Sequence, residues 1–506
     1  MPQDKATIPM YTQQELDQKL LAAANCLRGP VDPVDFKAYI FPLLFFKRIS
    51  DNYHYEHAKA LEEFDGDKKL ADLADNYRFV VPKGCCWEDL QAADENVGAA
   101  LQKMLDRIQE ANPETLAGIF GSANWADKEA LPEHALEGVI NVFDSLKLDP
   151  DSVSHDLLGN AYEYLLKNFA DETGKKAGEF FTPRSVVRLM AMILGPKEGE
   201  SICDPACGSG GLLVESVNEV RESGGDARTL RIYGQEVQKT TAAIARMNLY
   251  LHDIETFRIA LGDTLRDPKL KTADGELQTF DMIVANPPFS IDSWPRDAWA
   301  DDPYGRSEFG VPPQEYADFA FVQHMITTMD PKKGRLAVVM PHGVLFRGGD
   351  DAKVREALVQ SGLLDAVIGL PKNLFYSTSI DACILIFRSK ALPKRKAHVL
   401  FIGGSDRFQK GKNQNELNDG DVQAFIDAYR KGTDPDGEGG VKVRLVPAKE
   451  IEENKYDLSI GRYIAGEAAE EIDVQEALAD CDAARSRVAE AEKELAKRLK
   501  AAGIRA

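Results

Sequence analysis

Short apolar runs between Ser201 and Phe289, each closing on a polar residue, constrain the fold of this chain more than any other feature. Ser201-Ile202-Cys203 closes on Asp204, Leu230–Gly234 on Gln235 and Glu236, Phe257–Leu261 on Gly262 and Asp263, and Asp281–Ala285 on Asn286. Their length and β-branched content read as buried strands. A glycine-rich turn, Gly208-Ser209-Gly210-Gly211, and the helical run Leu212–Val220 follow the first of them. The pattern continues through the strands Arg335–Met340, Leu364–Gly369 and Ala382–Phe387, with helices over Ala317–Met329 and near Lys353–Gln360. Strands alternating with helices predict an α/β fold on a mainly parallel sheet. Ligands of such sheets bind at the carboxyl ends of the strands, where Asp204, Glu236, Asp263 and Asn286 stand.

Each of these positions carries its own chemistry. The glycine turn allows close backbone approach and faces a helix amino terminus toward a ligand. A phosphate site would favour a following Lys or a Gly-x-Gly-x-x-Gly spacing, and neither is present. Asp204 instead suits a cation, such as the amino group of a methionine moiety. Glu236 lies where a ribose diol is commonly bound, and the Asp263 carboxylate can accept from an adenine amine. Singly, both acids would pass as helix caps or loop residues; at the ends of successive strands they outline a pocket. Pro287 and Pro288 end the fourth strand because neither can donate to a ladder. Asn286-Pro287-Pro288-Phe289 suits methylation of a planar exocyclic amine, whose lone pair is delocalised into its ring. The Asn286 side-chain oxygen and the Pro287 carbonyl can accept its two N–H bonds, and Phe289 can stack on a base taken out of a duplex. The plainer reading is a strand-terminating turn.

Around this centre the chain divides. Residues 1–150 read as a mostly helical domain: Thr12-Gln13-Gln14-Glu15 has capping-box form, and Leu16, Leu20, Ala23, Ala24 and Leu27 share a helical face. Helical patterns follow over Val34–Ile49, Asn52–Phe64, Val97–Ala111 and Glu133–Leu146, with Phe79–Pro82 as a short strand. Residues 151–403 form the catalytic domain, opened by a helix over Asp156–Phe169. The segment Gly174–Arg184 then reads as a ligand-covering loop, with Thr182 capping a helix and Pro183 at its first position. A second loop, Ser290–Pro313, holds Trp294, Trp299, Tyr304 and Arg306 and is aromatic enough to cover a substrate. Residues 404–466 extend the catalytic domain, with a strand over Val441–Val446. Residues 467–506 form a C-terminal helix whose apolar seam, interrupted by Arg485 and Glu492, is too weak for a self-sufficient coiled coil. A helix that docks on a partner is the preferred reading, against a solvated tail.

Composition narrows the partners and the compartment. A chain of 506 residues is too long for one core, and about two to four domains are expected. No apolar run approaches the ~20 residues of a membrane span, and no signal pattern opens the chain. Seven scattered cysteines predict a reducing, cytoplasmic setting. Cys203 and Cys207 lack a second pair or nearby histidines and read as small buried residues rather than metal ligands. The formal charge of −21 is unhelpful for gripping phosphates. Lys175-Lys176 and Lys394-Arg395-Lys396 can line a local groove or a solvated face. If DNA is the substrate, a partner supplies much of the grip.

Taken in order, the motifs resemble the modification subunits of type I restriction–modification systems, which are N6-adenine DNA methyltransferases. The resemblance covers residues 12 to about 465 and rests on Asp156–Leu166, Gly178–Arg184, Asp204–Gly211, Asn286–Phe289, Ala317–His324 and Leu370–Phe375, with Leu43–Asp51 similar to the family's helical amino-terminal domain. It implies a Rossmann-like S-adenosylmethionine-dependent methyltransferase domain between a helical N-terminal domain and a C-terminal helical tail. The implied cofactor is S-adenosyl-L-methionine, held by Phe180, Phe181, Thr182, Asp204, Ala206, Gly208, Ser209, Gly210, Glu236 and Asp263. Asn286, Pro287, Pro288 and Phe289 would hold the adenine, and no metal is implied for methyl transfer. The implied partners are DNA, a specificity subunit shared by two modification subunits, and a restriction/translocase subunit, with no membrane. Two alternatives stand beside this reading. A protein-glutamine methyltransferase also acts on a planar amide nitrogen through such a tetrad, and a scaffold subunit could keep a vestigial pocket.

Overall fold

Asn286 owes its position to a reversal of direction in the sheet that carries it. The computed structural model describes residues 11–93, 96–173, 182–375, 380–411, 414–433 and 440–464, together with Val488, Ala491, Leu495 and Arg498. The strands are β1 (Ser201–Asp204), β2 (Arg231–Glu236), β3 (Phe257–Leu261), β4 (Met282–Ala285), β5 (Arg335–Pro341), β6 (Leu364–Gly369), β7 (Ala382–Arg388), β8 (His398–Gly403), β9 (Gln409–Lys410), β10 (Asn415–Glu416) and β11 (Lys442–Pro447). Nine form one sheet in the order β11-β8-β6-β7-β5-β4-β1-β2-β3, and β9 pairs with β10 in a small ribbon. From β1 the chain moves outward through β2 and β3, then returns to β4 on the other side of β1. The loops after β1 and β4 therefore diverge and open a crevice between them.

The half of the sheet that carries the crevice is parallel throughout. Beyond β5 the sheet is mixed: β7 runs antiparallel between β5 and β6, and β11 antiparallel to β8. Both faces are covered, which is why β4, β5 and β6 are buried along their whole length. Side chains alternate between two cores as the pleat requires. Met282 and Val284 pack with the helices Arg184–Leu194 and Gly211–Glu222. Ile283 and Ala285 pack with Asp318–Thr327 and Asp350–Gln360.

Amino-terminal to the sheet lie the helices Gln13–Cys26, Phe36–Glu63, Val97–Ala111, Glu133–Asp144 and His155–Thr173. The Thr12 capping box forms as expected, and Leu16, Leu20, Ala23, Ala24 and Leu27 are all buried. These helices share one core with a face of the helix Lys239–Leu251, through Ile244, Met247, Tyr250 and Leu251. The helical part is thus packed directly on an element that shapes the crevice.

Several details differ from the sequence reading. The two patterns over Val34–Ile49 and Asn52–Phe64 are one helix of 28 residues, Phe36–Glu63, that tolerates Pro42 near its start. Phe79–Pro82 is not a strand. Phe79 and Val81 are buried there, but the Val80 N–H and C=O are taken by the Asn112 side chain, which replaces a ladder partner. Arg395 is neither solvated nor in a groove: it is buried against Tyr429 and pairs with Asp365 at 2.6 Å. Lys175 and Lys176 lie outside the described residues, as does most of the segment 467–506 expected to be helical; Val488 and Leu495 are helical and exposed. Among the described residues no helix is long and apolar enough to cross a membrane.

Candidate active site

The floor of the crevice is the turn after β1. Asp204 is 1% exposed, and its carboxylate accepts from the Ala206 N–H at 2.9 Å. Burial first, then the nearby Glu236 carboxylate, pushes its carboxyl up to about 8. Gly210 begins the helix Gly211–Glu222 at a φ of 82°, a conformation that only glycine adopts cheaply. The Cys207 N–H donates to the Gln235 carbonyl at 3.0 Å and ties the turn to β2. Glu236 accepts from the N–H groups of Gly208 at 3.1 Å and Gln238 at 2.8 Å, so its carboxylate is fixed with acceptor capacity left over. Asp263 accepts from the N–H groups of Leu265 and Arg266, the capping role open to it from sequence, and still faces the crevice.

The crevice consists of two cavities that meet at Ala206, Gly208 and Asn286. One is walled by Glu236, Val237, Asp263, Leu265, Pro288 and Trp294. The other is walled by Thr182, Asp204, Ser209, Glu163, Arg184 and Asn248. Asn286 stands at the join. Its Nδ2 donates to the Thr182 hydroxyl at 3.0 Å, and its buried Oδ1 has no hydrogen-bond partner among the described residues. Thr182 was expected to cap the following helix. Pro183 stands at the cap rather than at the first helical position and has no polar side chain to bond, while the Thr182 hydroxyl accepts from Asn286.

The tetrad is held from behind. After Phe289 the chain turns through Ser290 at a φ of 56°, and the Ser290 N–H donates to Asp318 at 2.9 Å. Asp318 is buried and pairs with Arg347, which lies over the Tyr316 ring at 4.0 Å and reaches Asp351 at 2.8 Å. Pro287 is buried, Pro288 is exposed, and Phe289 is half-buried against the sheet's core.

Of the expected site residues, Thr182, Asp204, Ala206, Gly208, Ser209, Glu236, Asp263, Asn286 and Pro288 line the crevice. Gly210 starts the helix beneath it, and Pro287 and Phe289 flank it. Phe180 and Phe181 lie outside the described residues. The loop Ser290–Pro313 is not an open cover. Trp299 and Arg306 are buried and stacked at 4.4 Å, and Arg306 binds the Thr264 and Leu265 carbonyls behind the wall. Trp294 lines the crevice, with Ile291 and Ser293 of the same loop. Cys203 and Cys207 are buried thiols whose burial pushes them well above the ordinary range, as suits inert core residues. The sequence reading gave no role to Asp318, Glu163 or Asn248. An Asp in the first turn of the apolar helix Asp318–Thr327 was a signal for the first; nothing local marked Asn248.

The family model described as N-6 DNA Methylase matches residues 153–472, more than half of the chain, and the HsdM N-terminal domain model matches residues 16–143. The chain is 31% identical over 490 residues to the type I restriction enzyme MjaVII methylase subunit of Methanocaldococcus jannaschii, covering 92% of this chain and 81% of that one. It is 30% identical to the type I restriction enzyme HindI methylase subunit of Haemophilus influenzae, over 78% of this chain and 91% of that one. The type I restriction–modification methyltransferase subunit of Streptococcus thermophilus superposes with a TM-score of 0.77 at 30% identity, covering 90% of this chain and all of that one. The chain belongs to the N-6 DNA methylase family, among the methylase subunits of type I restriction–modification systems.

Proposed function

We propose that this chain transfers a methyl group from S-adenosyl-L-methionine to the N6 amine of adenine in DNA, as the modification subunit of a type I complex. The observation that carries the reading is the state of Asn286: one end of its amide is tied to Thr182, and the other is an unpaired buried acceptor where two cavities meet. A buried acceptor without a donor is costly, and an incoming amine N–H relieves that cost. The crevice also fits the cofactor. Glu236 and Asp263 wall the adenosine side, and Asp204, a buried acid without a basic partner among the described residues, suits a cation on the other side.

S-adenosylmethionine, when bound, supplies an electrophilic sulfonium methyl group. Asn286 Oδ1 and the Pro287 carbonyl accept from the adenine amine and hold its nitrogen toward that methyl, so the rate comes from positioning. Phe289 offers a ring face to the extruded base. No carboxylate belongs to the tetrad, so the surplus proton leaves to water.

The partners follow from charge and from what the chain devotes to catalysis. A net charge of −21 gives poor electrostatic grip on phosphates, so a specificity subunit, engaged by two modification subunits, reads the DNA. A restriction/translocase subunit joins them, in the cytoplasm. The chain divides into a helical part (1–150), the catalytic unit (151–403), its extension (404–466) and a docking helix (467–506). The test is sequencing of methylated bases in DNA treated with the purified complex, beside DNA binding by the chain alone. N6-methyladenine at one sequence, with no selective binding by the isolated chain, is expected. Another modified base, or tight selective binding alone, contradicts the reading. Removing residues 467–506 should weaken co-purification with the specificity subunit, and unchanged co-purification contradicts the docking role.

A further inference from the structure

The cavity beside Asp204 holds two polar groups that the mechanism above does not use. Asn248, on the helix Lys239–Leu251, is 0% exposed. Its Nδ2 donates to the Ser209 carbonyl at 3.0 Å, which fixes the amide, and the residue lines the cavity. Its Oδ1 has no hydrogen-bond partner among the described residues. Buried acceptors are rarely left so in native proteins. Glu163, on the helix His155–Thr173, lines the same cavity with its side chain 19% exposed. Its near neighbour is His252, whose Nε2 lies 3.8 Å away.

His252 is no partner for a carboxylate. Its ring is buried, and burial together with Arg221 and Arg184 holds it down to about 3, so it stays neutral. Burial likewise pushes the Glu163 carboxyl up to about 7 against the pull of Arg184. Glu163 reaches this place because the helix His155–Thr173 packs tightly on His252. A Cβ at Gly159 would lie 2.4 Å from the His252 ring, so only glycine permits the approach. Gly159 and Glu163 are one turn apart and share that face.

We propose that Glu163 and Asn248 Oδ1, with Asp204, form an acceptor set for the ammonium group at the amino-acid end of the cofactor. An ammonium carries three donors and no acceptor, which matches three acceptor residues lining one cavity. Arg184, on the same wall, and the amino terminus of the helix Gly211–Glu222 suit the neighbouring carboxylate. The chain then selects ligands that carry the whole amino acid over those that end at the thioether. The selecting acid comes from the helix that joins the helical part to the sheet. This inference rests on the cofactor reading above and goes beyond it.

Calorimetry on the full chain separates the two. S-adenosylmethionine, S-adenosylhomocysteine and 5′-methylthioadenosine are titrated into the wild type, Glu163→Gln and Asn248→Ala. The third ligand has the adenosine and the thioether but no amino acid. Loss of a charge-assisted bond predicts that Glu163→Gln binds the first two ligands about 10-fold more weakly or worse, with 5′-methylthioadenosine within about 2-fold of wild type. Asn248→Ala should shift the ligands in the same order. Retained binding of 5′-methylthioadenosine also proves the variants folded. Unchanged binding of the first two ligands, or equal loss of all three, overturns the proposal while leaving the cofactor reading intact. A wild-type chain that binds none of the three overturns both.

Discussion

The side-chain amide of Asn286 donates to the hydroxyl of Thr182 at 3.0 Å, across 104 residues of sequence. With Nδ2 occupied, Oδ1 is presented as the acceptor, the orientation that an amine substrate needs. The segment before the helix Arg184–Leu194 therefore serves the catalytic residue as well as the cofactor wall.

Thr182→Val keeps the shape and removes the hydroxyl that fixes the amide. Single-turnover methylation by the assembled complex should fall by about 10-fold or more, as expected for losing one hydrogen bond that orients a buried group. Thr182→Ser should restore most of the rate. A valine variant with wild-type turnover would show that Asn286 needs no such anchor.

Asp204 gives the fold a pH dependence of known sign. Its carboxyl sits at about 8 in the folded chain, whereas an unfolded aspartate titrates near ~3.9. Between those values the unfolded state gives up a proton that the folded state keeps, so this group lowers stability as pH rises through that window. Asp204→Asn removes the effect. Its melting temperature should exceed the wild type's at pH 8, with the difference closing toward pH 4, while cofactor affinity drops. In the wild type, affinity for the cationic cofactor should climb with pH and level off near 8. A melting difference that does not vary with pH would remove Asp204 as the source.

Asp318 and Arg347 support the tetrad from below, through the Ser290 N–H. Removing one partner of a buried pair commonly costs about 3–5 kcal/mol, so Asp318→Ala should lower the urea midpoint of the catalytic unit and abolish methyl transfer. Asp318→Asn keeps an acceptor for Ser290 and should lose less of both. Equal behaviour of the two variants in turnover would mean that the Ser290 contact does not position the tetrad.

The part of the fold that makes the site was legible because its strands are short, apolar and closed by a polar residue. Asp204, Glu236, Asp263 and Asn286 each end a run of that kind, and β1 to β4 bring them together. Long-range pairing was not legible. Nothing near Arg395 announces that Asp365 and Tyr429 will bury it. Nothing near Trp299 and Arg306 shows that they stack inward rather than over a substrate. The Thr182 hydroxyl looked like a helix cap because a cap is the local use of a threonine before proline; the partner that claimed it is distant in sequence. Asn248 was invisible for the same reason, since its side-chain hydrogen bond to the Ser209 carbonyl is tertiary.

Phe289 should act on capture rather than on the chemical step. Base–aromatic stacking is worth about 1–3 kcal/mol, so Phe289→Ala should weaken trapping of the extruded adenine, and Phe289→Tyr or Trp should keep much of the activity. Fluorescence of 2-aminopurine at the target position reports the trapped fraction directly. Equal trapping by the wild type and Phe289→Ala would assign the ring to the core alone.

Asn286→Ala asks whether Asn286 Oδ1 is the acceptor for the reacting amine. The measurement is single-turnover methylation by the assembled complex, with cofactor affinity measured beside it. Loss of a positioned transition-state acceptor predicts a fall of roughly 10²–10³-fold in the rate, with cofactor affinity within about 2-fold of wild type. Near-normal methylation by Asn286→Ala would mean that Asn286 does not hold the amine, and would reduce the tetrad to a turn that ends a strand.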